Sequence, residues 1–524
     1  MTHPRPASPS SEAEATAAPA DPTPDATHPP DAPAGAAAST TASAAGFTAD
    51  ELAALTGGRL LRRSERLARG GAVDSRAVAP GNVFVALPGE RTDGHRFLEP
   101  AAAAGAAALV VTHAPGDAEL EALGDVSVVL VADGLAALQR LGGAWRARFD
   151  PLVAGVTGSV GKTTTKEAVA AVLGRRLVTL RTEGNQNNEI GLPLTLLRLG
   201  REHQAAVLEM GMYVGGEIAD LARLGRPRIG VVTAVREVHL SRIGSLDAIE
   251  RAKGELVEAL PADGVAVLNA DDARVRRMAA RTAARSVTYG FADDADVRAE
   301  AIVPLGAAGM AFRLVAAGGV LDVRTPVLGR HGVHNGLAAA AVGLAAGLDL
   351  AAIAEGLAAG WTAPHRSQLV RAGGLTVLDD CYNASPSSVL AALELLASLP
   401  GRHVAVLGEM LELGEAAERG HREVGEAAAG LVDALVVIGS GAAGIADGAL
   451  AAGLAADRIV RVADPAEALA ALRLGPAAAG DGDAVLVKAS RGAALETLVD
   501  ALVAERAATA PTGETTPAAR RGVR

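Results

Sequence analysis

The chain has 524 residues, 49% of them hydrophobic, and a formal net charge of −11 at pH 7. That size predicts two to four domains, and no apolar run is long enough to span a bilayer, so no membrane insertion is expected. The acidic surplus argues against nucleic acid as a partner, which needs many cations on its phosphates, but leaves room for a small anion in one basic cleft. The single cysteine, Cys381, cannot form an internal disulfide, and the N-terminus has no basic stretch leading into an apolar one. A cytoplasmic protein is the expectation.

In chain order, residues 1–46 are low-complexity Ala, Pro, Ser and Thr and predict a disordered tail. A first domain is expected over 47–149, closing with the helical pattern LAALQRLGGAWRARF ahead of Pro151. A second follows over 150–360 and a third over 361–505, divided near Gly360 and Pro364, with another disordered tail over 506–524. Apolar runs such as ALVV, LVAGV, AAVLE, IGVV, VAVLN, LTVLD, VAVLG, ALVVI and AVLVK alternate with Ala-rich helical patterns. That alternation predicts α/β layers on parallel sheets covered on both faces.

The segment TGSVGKTTT, Thr157 to Thr165, lies between the strand pattern LVAGV and the helical pattern KEAVAAVLG. In that context backbone N–H groups converge on phosphate oxygens at a helix N-terminus. Thr157, Gly158, Ser159, Val160, Gly161, Lys162, Thr163 and Thr164 are the candidate nucleotide cradle, with Lys162 reaching the β- and γ-phosphates and the Thr163 hydroxyl on Mg²⁺. The general phosphate-loop pattern asks for glycine at 156, where this chain has Val156. A kinase, a hydrolase and an amide-forming ligase can all use such a loop.

The other candidates each have an ordinary reading. Asp74, Ser75 and Arg76 read as a loop between short strands. Asn187 and Asn188, in EGNQNNEIG, read as a polar loop or as amides for a peptide-bearing ligand. Glu209 ends a strand, His239 follows another, and Lys253 sits on a helix where a lysine is ordinarily a surface charge. His334 and Asn335 precede a small-residue helix as a possible cap. Arg366 offers a charged fork suited to phosphate. Asp380 ends a strand before Tyr382 and Asn383, where Asn-Ala-Ser-Pro also reads as a turn and helix cap. Lys488, Ser490 and Arg491 are candidates for holding phosphate or carboxylate.

The shorter loop form T-G-x-x-G-K-T, followed in order by VLDDCYNASPSS, VLGEMLELGE and VKASRGAALE, resembles the Mur ligase family of ATP-dependent peptidoglycan-precursor ligases over about residues 47–505. The resemblance implies an α/β fold of three domains: a small N-terminal UDP-binding α/β domain, a central P-loop ATPase-like parallel-sheet domain and a C-terminal Rossmann-like α/β domain. It implies ATP and two Mg²⁺ ions, with Lys162, Glu209, His239, Lys253 and Asp380 as the catalytic set. Glu209 would bridge the ions, His239 would serve the second, and Lys253 would join them if carbamoylated. Asn335 and Arg366 would contact ATP, and Asp74, Ser75 and Arg76 the UDP end of the substrate. The Asp-x-Tyr-Asn-Ala-x-Pro form at 380–386 implies the branch that joins D-alanyl-D-alanine to UDP-N-acetylmuramoyl-tripeptide through an acyl phosphate, acting as a monomer. A sibling ligase adding meso-diaminopimelate or lysine, a P-loop kinase or switch, and a silent scaffold are the alternatives.

Overall fold

The structure is a computed structural model that describes residues 46–89, 92–237 and 243–509. Three sheets follow one another along the chain. The first comprises β1 (Arg59–Arg62), β2 (Gly71–Ala72), β3 (Val83–Val85), β4 (Ala108–Val111) and β5 (Ser127–Leu130), in spatial order β1-β5-β4-β3-β2. Its members are parallel except β1, which pairs antiparallel with β5.

The central sheet has nine strands: β6 (Leu152–Thr157), β7 (Thr179–Arg181), β8 (Ala205–Glu209), β9 (Ile229–Val232), β10 (Val265–Asn269), β11 (Arg285–Gly290), β12 (Val297–Pro304), β13 (Met310–Ala316) and β14 (Gly319–Thr325). Their order is β14-β13-β12-β11-β10-β9-β6-β8-β7, parallel from β7 to β12 and antiparallel through the β12-β13-β14 meander. The parallel members are the continuous apolar runs: every residue of β8, β9 and β10 is buried, as two covered faces require. The meander instead alternates buried and exposed residues, because one of its faces meets solvent.

The third sheet runs β15-β16-β20-β17-β18-β19, from β15 (Gln368–Ala372), β16 (Leu375–Asp379), β17 (His403–Gly408), β18 (Ala434–Ile438), β19 (Ile459–Val462) and β20 (Ala484–Lys488). Only β15 is antiparallel to its neighbour, so the α/β expectation for this domain holds.

The helix ahead of Pro151 is observed as Gly134–Arg146, and it joins the first sheet to the second. A Cβ on Gly142 would stand 2.8 Å from Cα of Pro193, so glycine there admits the helix Gly191–Leu196 at close range. Trp145 donates from Nε1 to the Leu199 carbonyl at 2.9 Å, which satisfies a buried indole at the same seam. One apolar cluster therefore runs from Phe47 and Val83 through Trp145 to Leu192 and Leu208.

The predicted tails fall mostly outside the described residues, but their inner ends differ from expectation. Gly46 is buried, and the helix Glu496–Thr509 continues through 506–509, where Arg506 bonds the Ala479 carbonyl. Among the described residues no helix is long and apolar enough to cross a membrane.

Candidate functional site

The turn after β6 is shaped by two glycines. Gly158 has φ +149°, and a Cβ there would fall 1.8 Å from Oγ1 of Thr233, just beyond β9. Gly161 has φ +86° immediately before the helix Lys162–Leu173. Thr233 donates from Oγ1 to the Val160 carbonyl at 2.6 Å, and Ser159 donates to the Arg236 carbonyl at 3.1 Å, so the loop is held from the neighbouring strand. Its free N–H groups are left at a helix N-terminus, the arrangement that binds phosphate. Lys162 bonds the Gly158 carbonyl at 2.8 Å.

Glu209, the last residue of β8, comes to the same place. Its side chain is buried and Oε1 accepts from Thr163 Oγ1 at 3.1 Å and from Asn187 Nδ2 at 2.7 Å. Oε2 is buried with no hydrogen-bond partner among the described residues. A buried carboxylate oxygen without a donor is costly unless a cation meets it, so this donor set fits a hard divalent ion. Lys253 is buried too and has no carboxylate partner among the described residues. Burial, and after it the charge of Lys162, holds its amine well below the ordinary lysine value. Burial also lowers the Lys162 pKa, with Glu209 opposing and the Arg366 guanidinium adding to the shift. Lys162 thus sits in the field of both Glu209 and the Arg366 guanidinium, and Lys253 in that of Lys162, a grouping of basic side chains that a polyphosphate would balance. His239 lies outside the described residues.

The helix carrying His334 and Asn335 begins at Gly329, so the pair sits inside it and not at its cap. Asn335 accepts from Thr165 Oγ1 at 3.1 Å and lies 3.1 Å from where a Gly161 Cβ would be, which puts it against the phosphate loop. His334 contacts Asp271 at 3.1 Å, between the rings of Tyr289 and Phe291. His331, one turn earlier, bonds Ser367 Oγ at 3.0 Å and so ties this helix to the third domain.

Arg366 is flanked by two non-glycine residues in the left-handed region, His365 at φ +58° and Ser367 at φ +47°. Such backbone persists only when neighbours fix it. Asp379 bonds His365 Nδ1 at 2.8 Å, and Asp380 Oδ1 accepts from Ser367 N–H at 2.9 Å. Asp380 Oδ2 meets Lys488 at 2.6 Å. Both Asp380 oxygens are therefore committed to bracing the chain beside Arg366. Lys488 also donates to the Asn383 carbonyl at 2.8 Å, and Ser490 accepts from Leu411 N–H at 2.9 Å. These two buried groups hold the loop from inside. Arg366 and Arg491 lie over the Tyr382 ring at 4.2 and 5.3 Å. Ser385 caps the helix Pro386–Ala397, so the turn-and-cap reading of Asn-Ala-Ser-Pro also holds.

Family profiles described as Mur ligase family, catalytic domain, Mur ligase middle domain, and Mur ligase, glutamate ligase domain match residues 70–146, 156–343 and 365–491. A Mycobacterium tuberculosis protein named UDP-N-acetylmuramoyl-tripeptide--D-alanyl-D-alanine ligase is 41% identical over 469 residues, 82% of this chain and 91% of that one. The chain belongs to the Mur ligase family. Among solved structures, MurF from Acinetobacter baumannii is similar with a TM-score of 0.77 at 32% identity, covering 87% of this chain and 99% of its own. MurF ligase from Thermotoga maritima in complex with ADP is similar with a TM-score of 0.73 at 28% identity, over 84% and 99%.

In this Mur ligase the remaining candidates divide. Asn188 accepts from the Gly191 N–H at 2.9 Å and starts a helix, whereas Asn187 reaches Glu209. Both line a cavity of about 180 Å³ beside Lys162, whose far wall is Gln139 of the first domain. Asp74 is paired with Arg76, which holds its carboxyl down at about 2, and Arg76 is largely exposed. Neither touches the phosphate loop. Sequence reasoning missed Thr182, Thr233, Lys166 and His331. For the two threonines no motif gives a signal, and Lys166, although four residues after Lys162 on the same helix face, has acceptors sixteen and eighteen residues away that no local pattern reveals.

Proposed function

We propose that this Mur ligase joins D-alanyl-D-alanine to UDP-N-acetylmuramoyl-tripeptide, converting ATP to ADP and phosphate and yielding the UDP-linked pentapeptide in the cytoplasm. The names of the similar ligases supply the two substrates. The observation that carries the chemistry is the buried Glu209 carboxylate, one oxygen shared by Thr163 and Asn187 and the other unpartnered, beside the phosphate loop. Two Mg²⁺ ions, held by Glu209 and Thr163, by His239 and by Lys253 once carbamoylated, would supply charge neutralisation on the phosphate oxygens.

The amine of Lys253 suits carbamoylation because its lowered pKa leaves a neutral, nucleophilic fraction. Adding CO₂ forms an N–C bond, releases one proton and turns a cation into an oxygen donor. The tripeptide occupies the cavity bounded by Gln139, Asn187 and Asn188, with Asp74, Ser75 and Arg76 towards its UDP end. Its terminal carboxylate attacks the γ-phosphorus while ADP departs, and Lys162 and Arg366 balance the charge on the transferring group. The dipeptide amine then attacks the acyl carbon, phosphate leaves, and the nitrogen gives up its proton. Asp380 and Lys488 position the loop of Tyr382 and Asn383, and Asn335 positions the nucleotide side. Closing the third domain on the central one excludes water from the acyl phosphate.

The test measures ADP release and product mass with the tripeptide, with and without D-alanyl-D-alanine. Release that requires the dipeptide, with pentapeptide formed, supports the proposal. Dipeptide-independent release refutes it, as does turnover with a UDP-linked dipeptide and a diamino acid instead.

A further inference from the structure

Lys166 is a lysine with no accessible surface, one turn beyond Lys162 on the same helix. Its ammonium lies 2.7 Å from the Thr182 carbonyl, 3.4 Å from the Gly184 carbonyl and 2.9 Å from Glu167 Oε1. Its three donors are thus all engaged. Two of the three acceptors are main-chain oxygens at the start of the segment that carries Asn187. A buried cation costs stability that an apolar residue of similar size would not, so its presence calls for a reason other than stability.

The segment it grips has two holds on Glu209. Thr182 Oγ1 accepts from the Glu209 N–H at 3.0 Å, fixing the main chain, and Asn187 Nδ2 bonds the carboxylate at 2.7 Å. The Gly211 N–H closes the frame on the Asn187 carbonyl at 2.7 Å. The same segment supplies Asn185, Asn187 and Asn188 to the cavity beside Lys162. The phosphate-loop helix, the carboxylate and the cavity wall are therefore connected through one ammonium.

We infer that Lys166 is a positioning residue for the ligase reaction: by holding the carbonyls of Thr182 and Gly184 it sets the Glu209 carboxylate and the amide wall of the cavity together against the phosphate loop. The role rests on the function proposed above. Lys166 touches neither nucleotide nor acceptor, and its influence passes through residues 182–187.

Lys166→Met keeps the length and removes the charge, and Glu167 keeps Arg181 as its partner at 2.8 Å. In this variant KM for UDP-N-acetylmuramoyl-tripeptide and the Mg²⁺ half-saturation both rise about tenfold, as expected for the outer support of a metal ligand, while KM for D-alanyl-D-alanine stays within about twofold. Amide hydrogen exchange over 183–189 in the unliganded protein accelerates about tenfold, a readout that needs no turnover. Thr182→Val removes the Oγ1 that accepts from the Glu209 N–H and donates to the Val207 carbonyl at 3.5 Å, leaves the Lys166 and Asn187 contacts in place, and raises the Mg²⁺ half-saturation. Unchanged exchange in Lys166→Met, or a Mg²⁺ half-saturation within about twofold of the parent in Thr182→Val, overturns the inference. Should Lys166→Met not fold, Thr182→Val decides alone. Should the parent enzyme release ADP without the dipeptide, the proposed function falls, while the exchange measurement still decides whether Lys166 holds the segment.

Discussion

Replacing Gly158 by alanine perturbs the nucleotide cradle at its tightest point. The added Cβ would lie 1.8 Å from Thr233 Oγ1, 3.0 Å from Thr233 Cβ and 3.1 Å from the Ala234 nitrogen. Reaching the 3.0 Å that real Cβ atoms keep requires the loop or Thr233 to move by 3.0 − 1.8 = 1.2 Å. The residue must also keep φ at +149°, which a side chain disfavours by roughly 1–3 kcal/mol. Displacing a positioning element by about 1 Å costs about a hundredfold in rate, so kcat/KM for ATP should fall by about that factor. The atoms at fault give a second arm: Thr233→Ala in the Gly158→Ala background removes the 1.8 Å neighbour and leaves those at 3.0 and 3.1 Å, so part of the loss returns. Thr233→Ser keeps the oxygen and returns none. Coupled ADP release with varied ATP gives kcat/KM, and calorimetric titration with ADP gives affinity separately. An alanine at 158 that binds and turns over within about twofold of the parent would refute the reasoning.

Lys253→Ala should lose nearly all ligase activity and regain part of it with added short-chain carboxylate, read as ADP release; unchanged turnover removes Lys253 from the metal set. Arg366→Lys keeps the charge but not the planar fork over Tyr382, so KM for ATP should rise about tenfold with the thermal midpoint unchanged. Burial holds the His331 imidazole below its ordinary 6.5, so the unfolded chain binds the proton first and stability declines as pH falls through 6.5. One such group contributes at most about 1.4 kcal/mol per pH unit, and urea unfolding at several pH values should show a shallower acid-side slope for His331→Asn.

What was legible in advance follows the chemistry of burial. The parallel strands β6, β8, β9 and β10 announce themselves because both faces are covered and the residues are apolar without interruption. The β12-β13-β14 meander does not: its half-exposed alternation, as in VRAEAIVP, looks unlike a buried strand to a search for continuous runs. The phosphate loop was recognisable down to Lys162 and Thr163 because its glycines are demanded by backbone geometry. Asn335 was found as a residue but misplaced at a helix cap, since nothing local shows that the helix starts at Gly329. For Lys488 and Ser490 the motif gives position but not direction, and only the packing reveals that they face inward to Asn383 and Leu411. Lys166 is indistinguishable in sequence from a solvated lysine, because its acceptors are carbonyls sixteen and eighteen residues away.

The close approach at Gly142 and Pro193 bears on how the molecule moves. With no side chain between them, and with Trp145 locked to Leu199, the first lobe cannot slide over the second without breaking backbone-to-backbone packing. The third lobe is joined covalently by a single passage through residues 360–367. The closure proposed above thereby falls to one jaw, and a bulky residue at 142 should prise apart the first two lobes while leaving the third untouched.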